Sequence, residues 1–177
     1  MGRKMDKIQK LTINCIVLIS FSSAIFTDEL KDIIDSKKSS FEEIALDIWN
    51  YAELGYLETK SSNLLASELE ENGFIIQKGV AGIPTSFIAE FNNGGPVIGI
   101  LGEFDALPGL AQTNSPFKEV ADNETGAGHA CGHHLFGTAS AAAAIAIKKY
   151  IENEKLTGTI KYFGCPAEEG GSGKVYM

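Results

Sequence analysis

Two short apolar runs on either side of an alanine-rich stretch constrain the fold of this chain more than any other feature. Residues 96–102 (PVIGILG) and 157–164 (TGTIKYFG) have the length and the flanking turn signals of β-strands. Residues 134–153 between them predict a helix whose small side chains let it lie close to a sheet. A strand, a helix and a second strand in this order favour an α/β sandwich around a mostly parallel sheet. The first run is continuously apolar, which is typical of a strand buried on both faces.

The upstream segments extend the same α/β pattern. Apolar residues at helical spacing predict amphipathic helices over residues 41–53 and 61–72. Residues 74–80 and 85–91 predict two further strands. Residues 108–128 have no periodic pattern and are rich in Gly, Asn, Thr and Pro, so they predict a long loop. Loops of this length inside a compact domain are usually functional.

The charge balance argues against one broad class of function. The 177 residues include 15 Lys and Arg against 23 Asp and Glu, which gives a formal net charge of −8. Nucleic-acid binding depends on clustered basic residues that contact phosphates, and no basic run interleaved with aromatic residues occurs here. We therefore expect no nucleic-acid partner.

The N-terminal residues predict a leader for export. Four basic residues within the first ten precede an apolar stretch over residues 11–26, and Ser22 and Ala24 have the spacing of a cleavage site. We expect residues 1–24 to be a signal peptide and the mature protein to be secreted or periplasmic, with a cytoplasmic location as the alternative. An uncleaved anchor fits less well, because the stretch is shorter than the ~20 apolar residues of a spanning helix. We therefore expect no stable membrane insertion.

Three histidines and a cysteine lie within six positions at the start of the alanine-rich helix: His129, Cys131, His133 and His134. Cys and His are preferred ligands of zinc and related divalent metals. The spacing of Cys131 and His133 across one glycine can turn both side chains toward one centre. A metal site is the favoured interpretation. The alternatives are histidines that merely cap the helix or lie exposed, and a Cys131–Cys165 disulfide in an exported protein.

An acidic cluster follows each apolar run. Glu103 and Asp105 follow the first run, and Glu168 and Glu169 follow the second. In open α/β sheets, sites form beyond the carboxyl ends of the strands. Adjacent carboxylates at a buried strand end repel each other, so they require a cation that holds one of them or a proton on one of them. A metal-dependent hydrolase uses one carboxylate as a ligand and another as a general base. A solvated pair in a turn is the alternative.

Three motifs together resemble a known family. The stretches GEFDALPGLAQ, GHACGHHLFGTA and GTIKYFGCPAEEGGSGK resemble the aminoacylase/carboxypeptidase class of metallopeptidases, and most of all its amidohydrolase branch. They occur in family order, and the resemblance covers roughly residues 41–177. It implies a zinc-peptidase-like α/β sandwich with a mostly parallel central sheet, of which this chain has the N-terminal part.

The resemblance also implies roles for individual residues. Cys131 would be a metal-binding or metal-bridging thiolate, and His133 and Glu169 would be metal ligands. Glu168 would be the general base that takes a proton from a metal-activated water. Asp105 would orient a ligand, a role that such residues commonly fill. The implied cofactors are two divalent metal ions, and the ligand types admit zinc, manganese or cobalt.

Two histidines of the cluster are not expected to bind metal. His129 corresponds to a family position that is not a ligand. His134 departs from the family pattern, which usually has Asp or Asn after the ligand histidine. The departure puts local hydrogen bonding and substrate preference in question, and not metal binding.

The implied activity is hydrolysis of the amide bond of an N-acyl or N-aroyl amino acid, such as a p-aminobenzoyl-glutamate-like molecule. Residues 25–177 would form the N-terminal portion of the metal-binding catalytic domain. Further histidine ligands and a lid and dimerisation domain would lie outside this sequence, and a full-length member would form a homodimer or a heterodimer. The alternative is a truncated, non-catalytic partner or binding module that keeps the fold.

Overall fold

A computed structural model describes residues 29–177, so the predicted leader over residues 1–24 lies outside the described part. Residues 29–36 are helical and precede the first numbered helix. No helix within residues 29–177 combines the length and the hydropathy needed to cross a membrane. The helices are α1 (Lys38–Tyr51), α2 (Thr59–Glu71), α3 (His133–Asn153) and the short α4 (Glu168–Gly171) and α5 (Gly173–Tyr176). The strands are β1 (Ile75–Lys78), β2 (Phe87–Asn92), β3 (Val97–Glu103), β4 (Leu107–Pro108), β5 (Ala127–Gly128) and β6 (Thr159–Cys165).

The main sheet is mixed and has the strand order β1-β2-β6-β3. β3 and β6 pair in parallel, whereas β1–β2 and β2–β6 are antiparallel. The α/β prediction is confirmed, and the parallel pair consists of the two apolar runs. Only eight residues connect β1 to β2, and a parallel crossover needs about a dozen or more. This short connection accounts for the antiparallel β1–β2 pairing.

The three long helices pack together beside the sheet. α3 lies on β3 and β6, α2 lies on β1 and β2, and α1 contacts both of these helices. The small residues predicted for this purpose are buried in α3, among them Ala141, Ala144 and Ala146. Long side chains at these positions would hold α3 away from the strands.

The prediction that β3 is buried on both faces is wrong within the described residues. Val97, Ile98 and Leu101 are 63%, 51% and 47% exposed. The physical reason is that β3 is the edge of the sheet formed by residues 29–177, and α3 covers only one of its faces. A continuous apolar run reports hydrophobicity, but it does not report which elements cover the strand.

The core between the helices and the sheet depends on two close approaches at glycines. Tyr162 is fully buried and stacks on Phe87, and its hydroxyl donates a hydrogen bond to the Gly137 carbonyl at 3.1 Å. A Cβ at Gly102 would lie 2.0 Å from the Tyr162 hydroxyl, so only glycine leaves room for this ring. A Cβ at Gly137 would lie 2.4 Å from the backbone oxygen of Glu103. α3 can therefore touch the end of β3 at Gly137.

The predicted loop over residues 108–128 is irregular, and its two ends are tied together. β4 pairs with β5 in antiparallel fashion, with Leu107 opposite Gly128. The Asn123 amide donates a hydrogen bond to the Ala127 carbonyl at 2.9 Å. These contacts bring the end of the loop back beside the end of β3, just before α3 begins.

Replacing Gly137 with alanine tests the close approach of α3 to β3. Alanine favours a helix by about 1 kcal/mol over glycine, but its Cβ would overlap the Glu103 carbonyl. We expect Gly137→Ala to lower the free energy of unfolding by about 1–3 kcal/mol, the usual cost of overpacking. Urea denaturation followed by circular dichroism measures it. Ser140→Ala on the same helix is the control, and a Gly137→Ala variant as stable as the wild type would contradict this close approach.

Candidate metal centre

Three segments of the chain meet at the carboxyl ends of β3 and β6. The two strands are in parallel register, with Glu103 opposite Cys165. Residues 103–105 leave β3, residues 167–169 leave β6, and the start of α3 lies between them. The sequence analysis expected a site at these strand ends, and its candidate residues lie on these three segments.

His133 is the centre of the hydrogen bonding at this site. It is 4% exposed, and its Nδ1 lies 2.8 Å from Asp105 Oδ1. The other carboxylate oxygen of Asp105 accepts a hydrogen bond from the Glu169 backbone N–H at 2.9 Å. One buried carboxylate therefore fixes both the His133 ring and the backbone of the Glu-Glu turn. Its bond to Nδ1 leaves Nε2 of His133 as the ring atom available to another partner.

Burial and the neighbouring polar groups have opposite effects on the pKa values of Asp105 and His133. Burial opposes ionisation of Asp105, but the hydrogen bonds from His133 and from the Glu169 N–H outweigh it, so the pKa of Asp105 is lowered. Burial also opposes protonation of His133. The hydrogen bond to Asp105 and the negative charges of Asp105, Glu103 and Glu169 outweigh that effect, so the pKa of His133 is raised. The site is therefore strongly negative around one imidazole.

Two overlapping groups of side chains have the geometry of a metal site. Ligand atoms of Cys131, His133 and Glu169 all lie within 4.8 Å of one another. Ligand atoms of Glu103, His133 and Glu168 meet the same limit. The structure thus brings together all five residues to which the sequence analysis assigned a role. Asp105 is in neither group, but it forms a hydrogen bond with the His133 ring.

The donor atoms fit a divalent cation. Glu169 Oε1 is buried and has no hydrogen-bond partner among the described residues. The neighbouring Glu169 carboxylate is the main cause that raises the pKa of the Cys131 thiol, and burial and the other nearby carboxylates add to it. A bound cation would reverse this effect, since it stabilises a thiolate and neighbouring carboxylates together. A thiolate, an imidazole and carboxylates are the ligand types of zinc and related metals.

Glu103 belongs to the site, although it was predicted only as part of an acidic cluster and without a role of its own. Its Oε2 lies 2.9 Å from His133 Nε2, and its Oε1 forms an ion pair with Lys174. Lys174 therefore orients this carboxylate and offsets one negative charge. The position of Glu103 directly after β3 was the available signal, but its contact with His133 depends on the packing of α3 against the strand end.

The other two histidines lie outside both groups. His129 Nε2 lies 3.0 Å from the Ile48 carbonyl, and burial, followed by the nearby His134, lowers the pKa of His129 to about 4. The rings of His134 and Trp49 meet edge to face at 4.9 Å. His129 and His134 thus pack the start of α3 against α1. That neither is a ligand stays a prediction.

The alternative of a disulfide is not realised. Cys131 and Cys165 are both free, Cys131 exposed and Cys165 buried. The Cys165 thiol donates to the Phe163 carbonyl at 3.3 Å.

A cleft of about 330 Å³ borders the centre, and its lining includes Asp105, Glu169 and Tyr56. A larger cleft of about 710 Å³ is lined by Tyr51, Lys60 and Asp122 among others, and it contains none of the clustered side chains. We therefore associate the smaller cleft with the candidate metal centre.

Replacing Asp105 with asparagine tests the support of His133. A carboxylate accepts both hydrogen bonds, whereas an amide has one acceptor oxygen and would turn its NH2 group toward a donor. We expect Asp105→Asn to weaken zinc binding by about 10–100-fold, the usual effect of losing such a partner, as measured by calorimetry. Asp122→Asn in the exposed loop is the control. Unchanged zinc affinity in a folded Asp105→Asn variant would rule out this role.

Comparisons with known proteins agree with the geometry. The model of peptidase family M20/M25/M40 matches residues 99–177, which include every residue of the two groups. The chain is 45% identical over 148 residues to one of the subunits of p-aminobenzoyl-glutamate hydrolase of Escherichia coli, covering 84% of this chain and 31% of the relative. It is 31% identical to hippurate hydrolase of Campylobacter jejuni, covering 84% of this chain and 37% of the relative.

Among solved structures, a dinuclear metal-binding peptidase of Bacillus subtilis superposes with a TM-score of 0.61 at 30% identity, covering 80% of this chain and 38% of that one. The chain spans about a third of the length of the curated relatives that it matches. The resemblance inferred from the three motifs is confirmed. The motifs, the fold and these matches together show that residues 99–177 belong to a domain of peptidase family M20/M25/M40.

Proposed function

We propose that this chain forms the metal-binding part of a dinuclear amidohydrolase that cleaves the amide bond of N-acyl or N-aroyl amino acids. The observation that carries the proposal is the meeting of one thiol, one imidazole and three carboxylates at the ends of β3 and β6. The hydrogen bond from His133 to the buried Asp105 supports it, because metal-binding histidines usually donate their other N–H to a carboxylate.

Cys131, His133 and Glu169 would hold metal, and Glu103 lies close enough to His133 Nε2 to contribute a further oxygen. When bound, the metal ions would polarise the scissile carbonyl and make water a stronger acid. The ligand types favour zinc, manganese or cobalt.

Glu168 has the properties of a general base. Its side chain is 41% exposed, more than that of Glu169 at 19%, and its Oε2 lies 3.7 Å from His133 Nε2. It can therefore reach a water molecule beside the centre, accept its proton and return that proton to the leaving amine. Glu169 is held by its backbone N–H on Asp105, which suits a fixed ligand.

Two relatives support an N-aroyl amino acid as the substrate. p-Aminobenzoyl-glutamate and hippurate, the compounds in their names, both join an aromatic acyl group to an amino acid through an amide. The first relative is named as one subunit of its hydrolase, which supports assembly with a second chain in the complete protein. Export through a signal peptide over residues 1–24 remains part of the proposal.

Single substitutions separate the ligands from the base. We expect Cys131→Ala and Glu169→Gln to reduce the bound metal measured by elemental analysis of the purified chain. Glu168→Gln keeps its place in the turn and should retain nearly wild-type metal. In an active preparation, Glu168→Gln should lower hydrolysis of p-aminobenzoyl-glutamate at least about 100-fold, the lower range for a general base.

Loss of metal from Glu168→Gln equal to the loss from Glu169→Gln would overturn the assignment of the base. Glu119→Gln in the exposed loop is the matched control for a lost carboxylate. Stoichiometric metal without hydrolysis, in the chain with its partner subunit supplied, would favour the non-catalytic module instead.

A further inference from the structure

The loop that joins α1 to α2, residues 52–58, contacts the segments that leave β3 and β6 at the metal centre. The Ala106 N–H, just beyond β3, donates to the Glu53 carbonyl at 2.8 Å. On the β6 side, the Tyr56 hydroxyl donates to the Gly171 carbonyl. The backbone of Gly55 lies so near Ala167 that a Cβ there would be 3.0 Å from it. The loop is therefore packed against the turn that carries Glu168 and Glu169.

The last residue of this loop, Glu58, is a fully buried carboxylate with 0% exposure. Its Oε1 accepts a hydrogen bond from the Ala167 N–H at 2.7 Å, and its Oε2 accepts one from the Thr85 hydroxyl at 3.0 Å. Within residues 29–177 no cation forms an ion pair with it, and burial raises its pKa. Burial of a carboxyl group costs free energy unless hydrogen bonds replace those that it made with water.

The partner of Glu58 is a residue in an unfavourable backbone conformation. Ala167 has φ 53° and ψ 45°, in the left-handed region that residues with a Cβ rarely adopt. It immediately precedes Glu168 and Glu169, so its conformation decides where both carboxylates point. Such a backbone conformation persists only where surrounding contacts hold it in place. The hydrogen bond from the Ala167 N–H to Glu58 is a contact of this kind.

We propose that Glu58 is a positioning residue, which holds Ala167 in the left-handed conformation and thereby places Glu168 and Glu169 at the metal centre. Glu58 touches neither group of candidate ligands itself. This inference rests on the metal centre proposed above. The proposal predicts that metal binding depends on a hydrogen-bond acceptor at position 58 and not on a negative charge there.

Titration of the purified metal-free chain with Co²⁺, followed by absorption spectroscopy and calorimetry, tests the proposal. Glu58→Ala removes the acceptor and should weaken Co²⁺ binding at least about tenfold, the low end for residues that support ligands. It should also change the visible cobalt bands at saturation, because Glu169 would no longer reach the ion in the same geometry. Glu58→Gln keeps an oxygen for the Ala167 N–H and an amide for the Thr85 hydroxyl, so it should bind Co²⁺ within about twofold of the wild type.

Glu68→Ala is the matched control, because Glu68 is also a largely buried carboxylate, but it lies within α2 and pairs with Lys37 and Asn72. It should lose stability and keep the wild-type cobalt affinity and spectrum. If circular dichroism shows that Glu58→Ala is unfolded, Glu58→Asp takes its place, since it withdraws the carboxylate by one methylene and should lose affinity in the same way.

Wild-type affinity and spectrum in the folded Glu58→Ala or Glu58→Asp variant would overturn the proposal. Glu58→Gln binding as weakly as Glu58→Ala would also overturn it, because charge and not the acceptor would then be responsible. A wild-type chain that binds no Co²⁺, or binds it equally well after Glu169→Gln, would instead refute the metal centre itself.

Discussion

The buried carboxylate of Asp105 is the contact on which the rest of the site depends. It accepts a hydrogen bond from His133, the first residue of α3, and another from the backbone of Glu169 beyond β6. Asp105 itself follows β3, so one side chain ties two strand ends and a helix start together. Without a carboxylate there, the histidine and the Glu-Glu turn would lose their common partner, and a strongly negative set of side chains would have no fixed arrangement.

The fold makes this contact possible because it brings the ends of β3 and β6 and the start of α3 close together. Parallel pairing of β3 and β6 brings their carboxyl ends side by side, and the bare backbone of Gly137 lets α3 reach the Glu103 carbonyl. The loop before α2 then holds the turn after β6 through Glu58 and Ala167. Segments that lie more than 100 residues apart in the chain thus set the position of the two glutamates at the metal centre.

The sequence identified candidate ligands, but it did not predict all of their contacts. Cys131, His133 and Glu169 could be named as candidates because their residue types and motifs are typical of metal sites. The contact of Glu103 with His133 could not be predicted, because it arises where α3 packs on the strand end, and the contact of Glu58 with Ala167 joins distant segments. The apolar pattern predicted β3 as a strand, but it could not report that β3 is an edge strand in the described part of the chain.

X-ray absorption spectroscopy at the zinc edge, on the purified chain loaded with zinc, would test the metal centre most directly. We expect a sulfur scatterer at about 2.3 Å from Cys131 and nitrogen or oxygen scatterers at about 2.0–2.2 Å from the histidine and the carboxylates. The sulfur contribution should disappear in Cys131→Ala. A zinc spectrum without sulfur in the wild-type chain, or one unchanged by that substitution, would contradict the assignment of this cluster as the metal centre.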